Sequence, residues 1–428
     1  MKSYFYYMAE YIDTGYEPRA SDLICEFYVK PAKGISVEEA ANHIAAESSI
    51  GTWTEIRMSK KIKEMKARVF EIDGNWIKIA YPSILFEPGN MPQILSSIAG
   101  NIFGMKIVEK LRLEDVRWPK DIMKSFKGPR FGVNGVRSLI KVKNRPLIGT
   151  IVKPKIGLNE GKHAKVAYEA WCGGVDIVKD DENLTNQSFN HFKKRVIMTL
   201  KTREKAEKET GERKMYMPNV SAEVHEMEKR AKFVKESGGE YIMVDIITVG
   251  WAGLQSIRNL NEELGMVIHA HRAGHAAFTR GMHGISMIVV ADIARLIGVD
   301  QIHVGTVVGK MVGKQDEVVR IREEIEERFV DEEKSMHRLA EYWGNIKPVF
   351  AVCSGGIHPG LVSKLIEIMG NDIIIQAGGG IHGHPLGTKA GAKAMRQAVD
   401  AVMNNIPLKE YAKEHKELGV ALNKWGFI

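Results

Sequence analysis

The chain predicts an α/β protein: a (β/α)8 TIM barrel over residues 136–428, preceded by a smaller ferredoxin-like α+β domain over residues 1–135. Three observations carry that reading. Eight short apolar runs follow one another after residue 145, helix-like stretches separate most of them, and the residues able to do chemistry collect where the runs end. At 428 residues the chain is long enough to bury a core in each of two domains.

Within the first domain the order is strand (Leu23 to Val29), helix (Val37 to Ala46), strands (Ala67 to Tyr81), helix (Met91 to Ile98) and strand (Lys106 to Leu113). That succession is compatible with a ferredoxin-like layer. Asp121 to Arg137, with prolines and glycines nearby, reads as the connector. The eight runs beyond it are Leu147 to Lys153, Val175 to Lys179, Met215 to Asn219, Tyr241 to Asp245, Met266 to His271, Gln301 to His303, Val349 to Ser354 and Ile373 to Gly378. Between them lie helical stretches such as His163 to Trp171, Glu223 to Ser237, Leu254 to Leu264, Met287 to Leu296 and Leu361 to Met369. Barrel active sites sit at the carboxyl ends of the strands. Lys153, Lys179, Asp181, His271, His303 and Ser354 all fall there.

The second run is the most informative, because it carries an apolar strand straight into Lys179-Asp180-Asp181-Glu182-Asn183. Alternation puts Lys179 and Asp181 on one side and Asp180 on the other, and Glu182 can join the first pair as the chain turns out. Carboxylate oxygens suit a hard cation such as Mg²⁺. An ammonium cannot ligate a metal, so Lys179 is either a counter-ion or a lysine that CO2 has converted to a carbamate. The ordinary lysine pKa of about 10.4 favours the counter-ion on chemistry alone.

Ser354-Gly355-Gly356 after the seventh strand and Gly378-Gly379-Gly380 after the eighth read as a phosphate site, since glycine lets backbone amides approach an anion. His269 and His271 share a strand face, as a His-x-His metal pair would, but the carboxylate cluster already accounts for a metal. Arg272 beside them suits a phosphate through its planar fork of donors. His283, in a Gly-Met-His-Gly turn, reads as structural. Lys310 lies between glycines on the long loop after the sixth strand, which has the makings of a lid.

The formal net charge of +8 suits steering of an anionic substrate. Charge runs at Lys201 to Lys214 and Arg320 to Arg328 mix signs and read as solvated helix faces, so nucleic acid is not expected. Three cysteines, Cys25, Cys172 and Cys353, imply no disulfide framework, and no apolar run suggests a membrane span or leader. A soluble, cytoplasmic protein is expected.

Gly149-Thr-Ile-Val-Lys153-Pro-Lys155, Lys179-Asp-Asp181-Glu182-Asn, His271-Arg272-Ala-Gly-His275, His303-Val-Gly-Thr-Val-Val-Gly-Lys310, Ser354-Gly-Gly and Gly378-Gly-Gly resemble, in this order and spacing, the large subunit of the ribulose-1,5-bisphosphate carboxylase/oxygenase (Rubisco) family, in its archaeal form III wording. The resemblance covers nearly the whole chain and includes Ala45 to Thr54 and Gly100 to Met105. It implies that Lys179, carbamylated by CO2, holds Mg²⁺ with Asp181 and Glu182 and acts as base. Lys153 would move protons near the reacting carbons, supported by Lys155, and His271 would assist. Lys310 would close over the site. Arg272 and His303 would bind one phosphate, with Ser354 contacting the substrate near them. Thr52, Trp53, Gly356, Gly378 and Gly379 would bind the other phosphate, Gly355 would contact the substrate, and the segments holding Thr52, Trp53 and Asn101 would reach across a dimer to complete a neighbour's site. Glu47 would pair with Lys310 across a homodimer, and Asn101 would bond near the metal.

The implied substrates are ribulose-1,5-bisphosphate, CO2 and, in a side reaction, O2, with no small subunit. The setting would be archaeal AMP or pentose metabolism. A Rubisco-like enolase or isomerase that fixes no CO2 is the alternative, but such relatives usually lack several of the groups this chain keeps. Val312, Ile151 and Gly274 depart from the plant pattern. With the tail at Lys424 to Ile428 shorter than the plant one, they imply a less tightly latched lid.

Overall fold

The computed structural model describes residues 11–52, 57–309 and 315–428, and the chain packs as two units. The first contains residues up to Lys127 together with Gly274–Ile297 and Glu327–Ile346. Its main elements are β1 (Asp22–Pro31), α1 (Val37–Glu47), β2 (Arg68–Asp73), β3 (Trp76–Pro82), α2 (Met91–Ile98) and β4 (Val108–Arg117). Strand order β4-β1-β3-β2 with antiparallel pairing is the ferredoxin-like arrangement, extended at the β4 edge by the parallel pair Gly284–Ile285. Helix α1 starts where the Ser36 side chain accepts a hydrogen bond from the Glu39 amide at 3.1 Å.

Two carboxylates are buried in this unit. Asp115 accepts from the amides of Val116 and Leu339 at 2.8 and 2.7 Å, and Glu341 accepts from those of Trp118 and Tyr342 at 2.7 and 2.8 Å. Burial outweighs these hydrogen bonds and pushes Asp115 up to about 7 and Glu341 up to about 8. His283 is structural, as expected: its Nδ1 accepts from the Leu111 amide at 3.2 Å.

The second unit, Gly128–Ala273 with Gly298–Glu326 and the chain from Lys347, holds the barrel. Among the described residues its strands are β5 (Leu147–Ile151), β6 (Ile177–Lys179), β7 (Met215–Met217), β8 (Tyr241–Asp245), β9 (Val267–His271), β10 (Gln301–Gly305), β11 (Phe350–Ser354) and β12 (Ile373–Gln376). They pair in parallel in chain order, and β12 pairs with β5. The ring closes between β7 and β8, where the Met243 amide donates to the Pro218 carbonyl at 2.9 Å and the Val220 amide donates to the Met243 carbonyl at 3.1 Å. Pro218 has no N–H to give, which is why the ladder narrows there to the isolated Asn219–Met243 bridge.

The expected connector carries helices of its own. Asp121 to Arg137 is not a plain linker, because Lys120–Lys124 and Gly132–Ile140 are helices. Gly132–Ile140 sends Val133, Val136 and Ile140, spaced for one helix face, into the core with Leu147, Ile177, Met215, Tyr241, Val267, Phe350 and Ile374. Those residues stand at or near the starts of the strands, so this helix plugs the barrel's amino-terminal end. Each such apolar side chain removed from water contributes about 1.5–3 kcal/mol.

The helix expected from Leu254 begins at Ile246, with a break at Gly250, whose φ of +75° glycine tolerates. The charge run ending at Lys214 is only partly solvated. Lys214 is buried, its Nζ donating to the Val175 carbonyl at 3.0 Å and to Glu212 at 2.7 Å. All three cysteines are free.

Candidate active site

At the end of β6 the backbone turns so that Asp180 and Asp181 face different surroundings, as alternation requires. Asp180 is fully buried behind the barrel wall, bonded to Arg195 at 3.0 Å, Tyr216 Oη at 2.7 Å and the Asn219 amide at 3.0 Å, with His163 Nε2 at 3.1 Å. Burial raises its pKa, but Arg195 and His163 win and hold it well below the usual carboxylate range. That charge is spent on structure.

Lys179, 1 % exposed, donates to the Asp180 carbonyl at 2.8 Å and lies 3.3 Å from Met243 Sδ and 3.7 Å from Glu182 Oε2. Burial lowers its pKa against the opposing pull of Glu182, Asp245, Asp181 and Asp180. Asp181 accepts from Lys153 Nζ at 2.8 Å and from Asn183 at 3.1 Å (backbone) and 2.9 Å (side chain). Burial raises the Asp181 carboxyl, and these donors outweigh it, so its pKa falls.

The donor set for Mg²⁺ can be tested against this geometry. Among the described residues no three His, Cys, Asp or Glu side chains gather as a metal site. Asp181 and Glu182 supply two carboxylates, and each faces an ammonium, Lys153 and Lys179, where a cation's charge would sit. A carbamate on Lys179 would remove one of those positive charges and add an anionic oxygen donor. The residues therefore fit a hard cation once Lys179 is carbamylated.

Across the barrel, His271 Nδ1 lies 2.9 Å from Asp245 Oδ1, and its Nε2 is 3.6 Å from Glu182 Oε2. His269 does not point toward a metal position. Its Nδ1 is 3.1 Å from Gln301 Oε1 and its Nε2 is 3.0 Å from His303 Nε2, while His303 Nδ1 is 2.8 Å from Ser354 Oγ. Burial takes both His269 and His303 well below the usual imidazole pKa, so the rings are neutral at pH 7. Arg272 falls to about 10, because burial outweighs the pull of Glu317, and it stays cationic. A Cβ on Gly305 would approach its Nη2 to 3.0 Å.

Gly355 and Gly356 have φ of +117° and +73°, so their backbone follows a path other residues rarely take. A Cβ on Gly378 would come within 3.1 Å of Lys153 Cε, which places the eighth-strand glycines against the lysine. Gly379 has open space where a side chain would be, and Lys155 is exposed. In the first unit, Glu47 ends α1, and its Oε1 accepts from Asn101 Nδ2 at 3.5 Å; Thr52 is half-buried. Trp53, Lys310 and Val312 lie outside the described residues.

The sequence reading did not include Asp245, Asn219, Arg195, Tyr216 or His163. Asp245 carried a usable signal, since it ends an apolar barrel run as Lys179 and His271 do. The other four are recognisable only from contacts distant in the chain. A cavity of about 690 Å³ opens at the opposite end of the barrel, near Arg145, Arg213 and Arg396. Those cations are already paired with Asp176, Glu240 and Asp400. Among the described residues no helix is long and apolar enough to cross a membrane.

Fold and strand-end groups together define a barrel lyase type, with a buried lysine beside paired carboxylates and a second lysine poised opposite. The models for the ribulose bisphosphate carboxylase large chain match over residues 10–122 (N-terminal domain) and 132–425 (catalytic domain), and the chain belongs to that family. The ribulose bisphosphate carboxylase of Methanosarcina barkeri is 52% identical over 97% of this chain and 99% of its own. That of Methanocaldococcus jannaschii is 52% identical over 97% of this chain and 100% of its own. Among solved structures, the dimeric archaeal Rubisco of Hyperthermus butylicus superposes with a TM-score of 0.94 at 47% identity, covering 99% of this chain and 100% of its own. The octameric Rubisco of Pyrococcus horikoshii gives 0.91 at 47%, covering 98% and 97%.

Proposed function

We propose that this chain is a ribulose-1,5-bisphosphate carboxylase with an oxygenase side reaction, working in archaeal AMP or pentose metabolism. The observation that carries the reading is the buried Lys179 amine 3.7 Å from Glu182, with Lys153 on the neighbouring Asp181 at 2.8 Å. Burial favours the unprotonated amine that carbamylation requires. Lys179 as carbamate, Asp181 and Glu182 would hold Mg²⁺, which when bound supplies Lewis-acid polarisation of the sugar's carbonyl.

The chain's own groups then divide the work. Lys179, carrying its carbamate, takes the proton from C3 of the bisphosphate. Lys153 holds and returns protons near C2, with Lys155 supporting it, and His271 assists at the opposite side. Carbon dioxide adds at C2, water adds at C3, and cleavage of the C2–C3 bond gives two molecules of 3-phosphoglycerate. Arg272 takes one phosphate, and His303, whose two ring nitrogens are engaged by His269 and Ser354, holds Ser354 toward a sugar hydroxyl in place of the phosphate contact expected of it. Gly356, Gly378 and Gly379 serve the other phosphate, completed by Thr52 and Trp53 reaching across from the neighbouring subunit, and Gly355 contacts the substrate.

Lys310 closes over the site and meets the new carboxylate as its charge develops, where electrostatic help counts most. Closure also keeps water and protons from the reactive enediol. Glu47 of one subunit reaches Lys310 of another, and Asn101 bonds near the metal. The assembly is a homodimer or a multiple of it, as the dimeric and octameric relatives suggest, and no small subunit is expected.

The test is incubation with Mg²⁺, ribulose-1,5-bisphosphate and labelled bicarbonate under anaerobic conditions. Label in acid-stable 3-phosphoglycerate, dependent on CO2 preincubation, is expected. Proton exchange at C3 without label would instead identify an enolase-type relative.

A further inference from the structure

Asp245, at the carboxyl end of β8, has no part in the scheme above, yet its carboxylate is 5% exposed and touches the site through one atom. Oδ1 lies 2.9 Å from His271 Nδ1. Oδ2 faces two donors, Asn219 Nδ2 at 3.2 Å and Ser221 Oγ at 3.4 Å. Ser221 Oγ accepts from the Asp245 amide at 2.8 Å, which leaves its hydrogen for Oδ2. Asn219 is itself fixed. Its amide donates to Asp180 at 3.0 Å, its Nδ2 also reaches the Glu182 carbonyl at 3.2 Å, and its Oδ1 accepts from the Ser221 amide at 3.0 Å. The side of Asp245 away from His271 is therefore lined by donors.

We propose that Asp245 is a positioning residue that holds His271 in the tautomer with hydrogen on Nδ1, so that the Nε2 lone pair faces the substrate; this rests on the carboxylase reading of the site. A carboxylate oxygen accepts, so the 2.9 Å hydrogen bond from the ring places a hydrogen on Nδ1. Nε2 is the nitrogen left to face outward, 3.6 Å from Glu182 Oε2. The logic is that of the aspartate behind a catalytic histidine in hydrolytic triads.

Asp245→Asn discriminates sharply. Asn219 and Ser221 both donate, so they claim the new carbonyl oxygen. The amide NH2 is left toward His271 Nδ1, and the ring hydrogen must move to Nε2. Size and polarity barely change, so the fold and the carbamate site are expected to persist.

The measurement uses full-length protein labelled with ¹⁵N-histidine, the His271 signals being assigned by their loss in His271→Gln, together with steady-state kinetics and a ¹³CO2 carbamate signal. Wild-type protein is expected to show protonated Nδ1 and bare Nε2. Asp245→Asn is expected to reverse them and lower kcat at least about a hundredfold. KM for the bisphosphate should stay within about threefold, with the carbamate retained. Hydrogen on Nε2 in the wild type overturns the proposal whether or not the variant folds, as does a variant with wild-type kcat or one that loses the carbamate together with activity. Should the wild type fix no CO2, the proposed function fails while the ¹⁵N spectrum still decides the tautomer.

Discussion

Lys153 and Asp181 meet at the mouth of the barrel, Nζ to Oδ2, at 2.8 Å. A single carboxylate thus serves the lysine expected to move protons and the cation expected beside it. A divalent ion held by Asp181 would have to share that carboxylate with the lysine.

Lys153→Met removes that competitor. Turnover is expected to fall at least about a hundredfold, as for loss of a general acid–base group, while Mn²⁺ binding with CO2 but without substrate tightens. Titration by electron paramagnetic resonance reads the second effect. Weaker metal binding in the variant would mean that the pair assists the cation instead of opposing it.

Lys179→Ala removes the amine that would react with CO2. No ¹³C carbamate signal and no activation by CO2 with Mg²⁺ are expected. Wild-type rates in this variant would sink the carbamate assignment.

Asp115 and Glu341 make the first unit sensitive to alkali. Their carboxyls rise from 3.8 to about 7 and from 4.5 to about 8, so the folded state binds protons that the unfolded chain has released. Their stabilising contribution is complete below about pH 4 and is lost as pH rises through about 7 and 8. Urea unfolding from pH 5 to 9 is expected to show falling stability over that window. The Asp115→Asn, Glu341→Gln double variant should flatten it, and an unchanged slope in the double variant would assign the effect elsewhere.

Gly378→Ala tests the contact between the eighth-strand loop and Lys153. The new methyl would stand 3.1 Å from Lys153 Cε, tighter than ordinary contact, and the flexible lysine end can yield. Turnover is expected to drop about tenfold or more through misplacement, with the unfolding midpoint nearly unchanged. A loss of stability with normal turnover per folded molecule would reverse the assignment.

Much of this architecture was legible in the sequence for a physical reason. Parallel barrel strands are buried on both faces, so each reads as a short unbroken apolar run, and Tyr241 to Asp245 matches its strand residue for residue. Gly132–Ile140 is hard to read from sequence because Pro129 and Gly128, just before it, look like linker chemistry, although Val133, Val136 and Ile140 are spaced for one helix face. The return of Gly274–Ile297 and Glu327–Ile346 to the first unit depends on contacts between segments far apart, which no local pattern encodes. At the strand ends the reading drew together Lys153, Lys179, Asp181, Glu182 and His271 but passed over Asp245. A single carboxylate closing an apolar run looks like a helix cap until the imidazole opposite it is seen.

The row Gln301, His269, His303, Ser354 has a direction. A neutral imidazole owns one hydrogen and one lone pair, so donation must run the same way through both rings. With Gln301 Oε1 turned to His269 Nδ1, His269 gives its hydrogen to the amide, His303 gives Nε2–H to His269, and the Ser354 hydroxyl gives its hydrogen to His303 Nδ1. Ser354 then meets whatever enters the barrel with lone pairs alone. It welcomes the hydroxyl of a sugar and repels the oxygen of a phosphate, and the sign of that greeting is written by a glutamine amide buried at the start of β10.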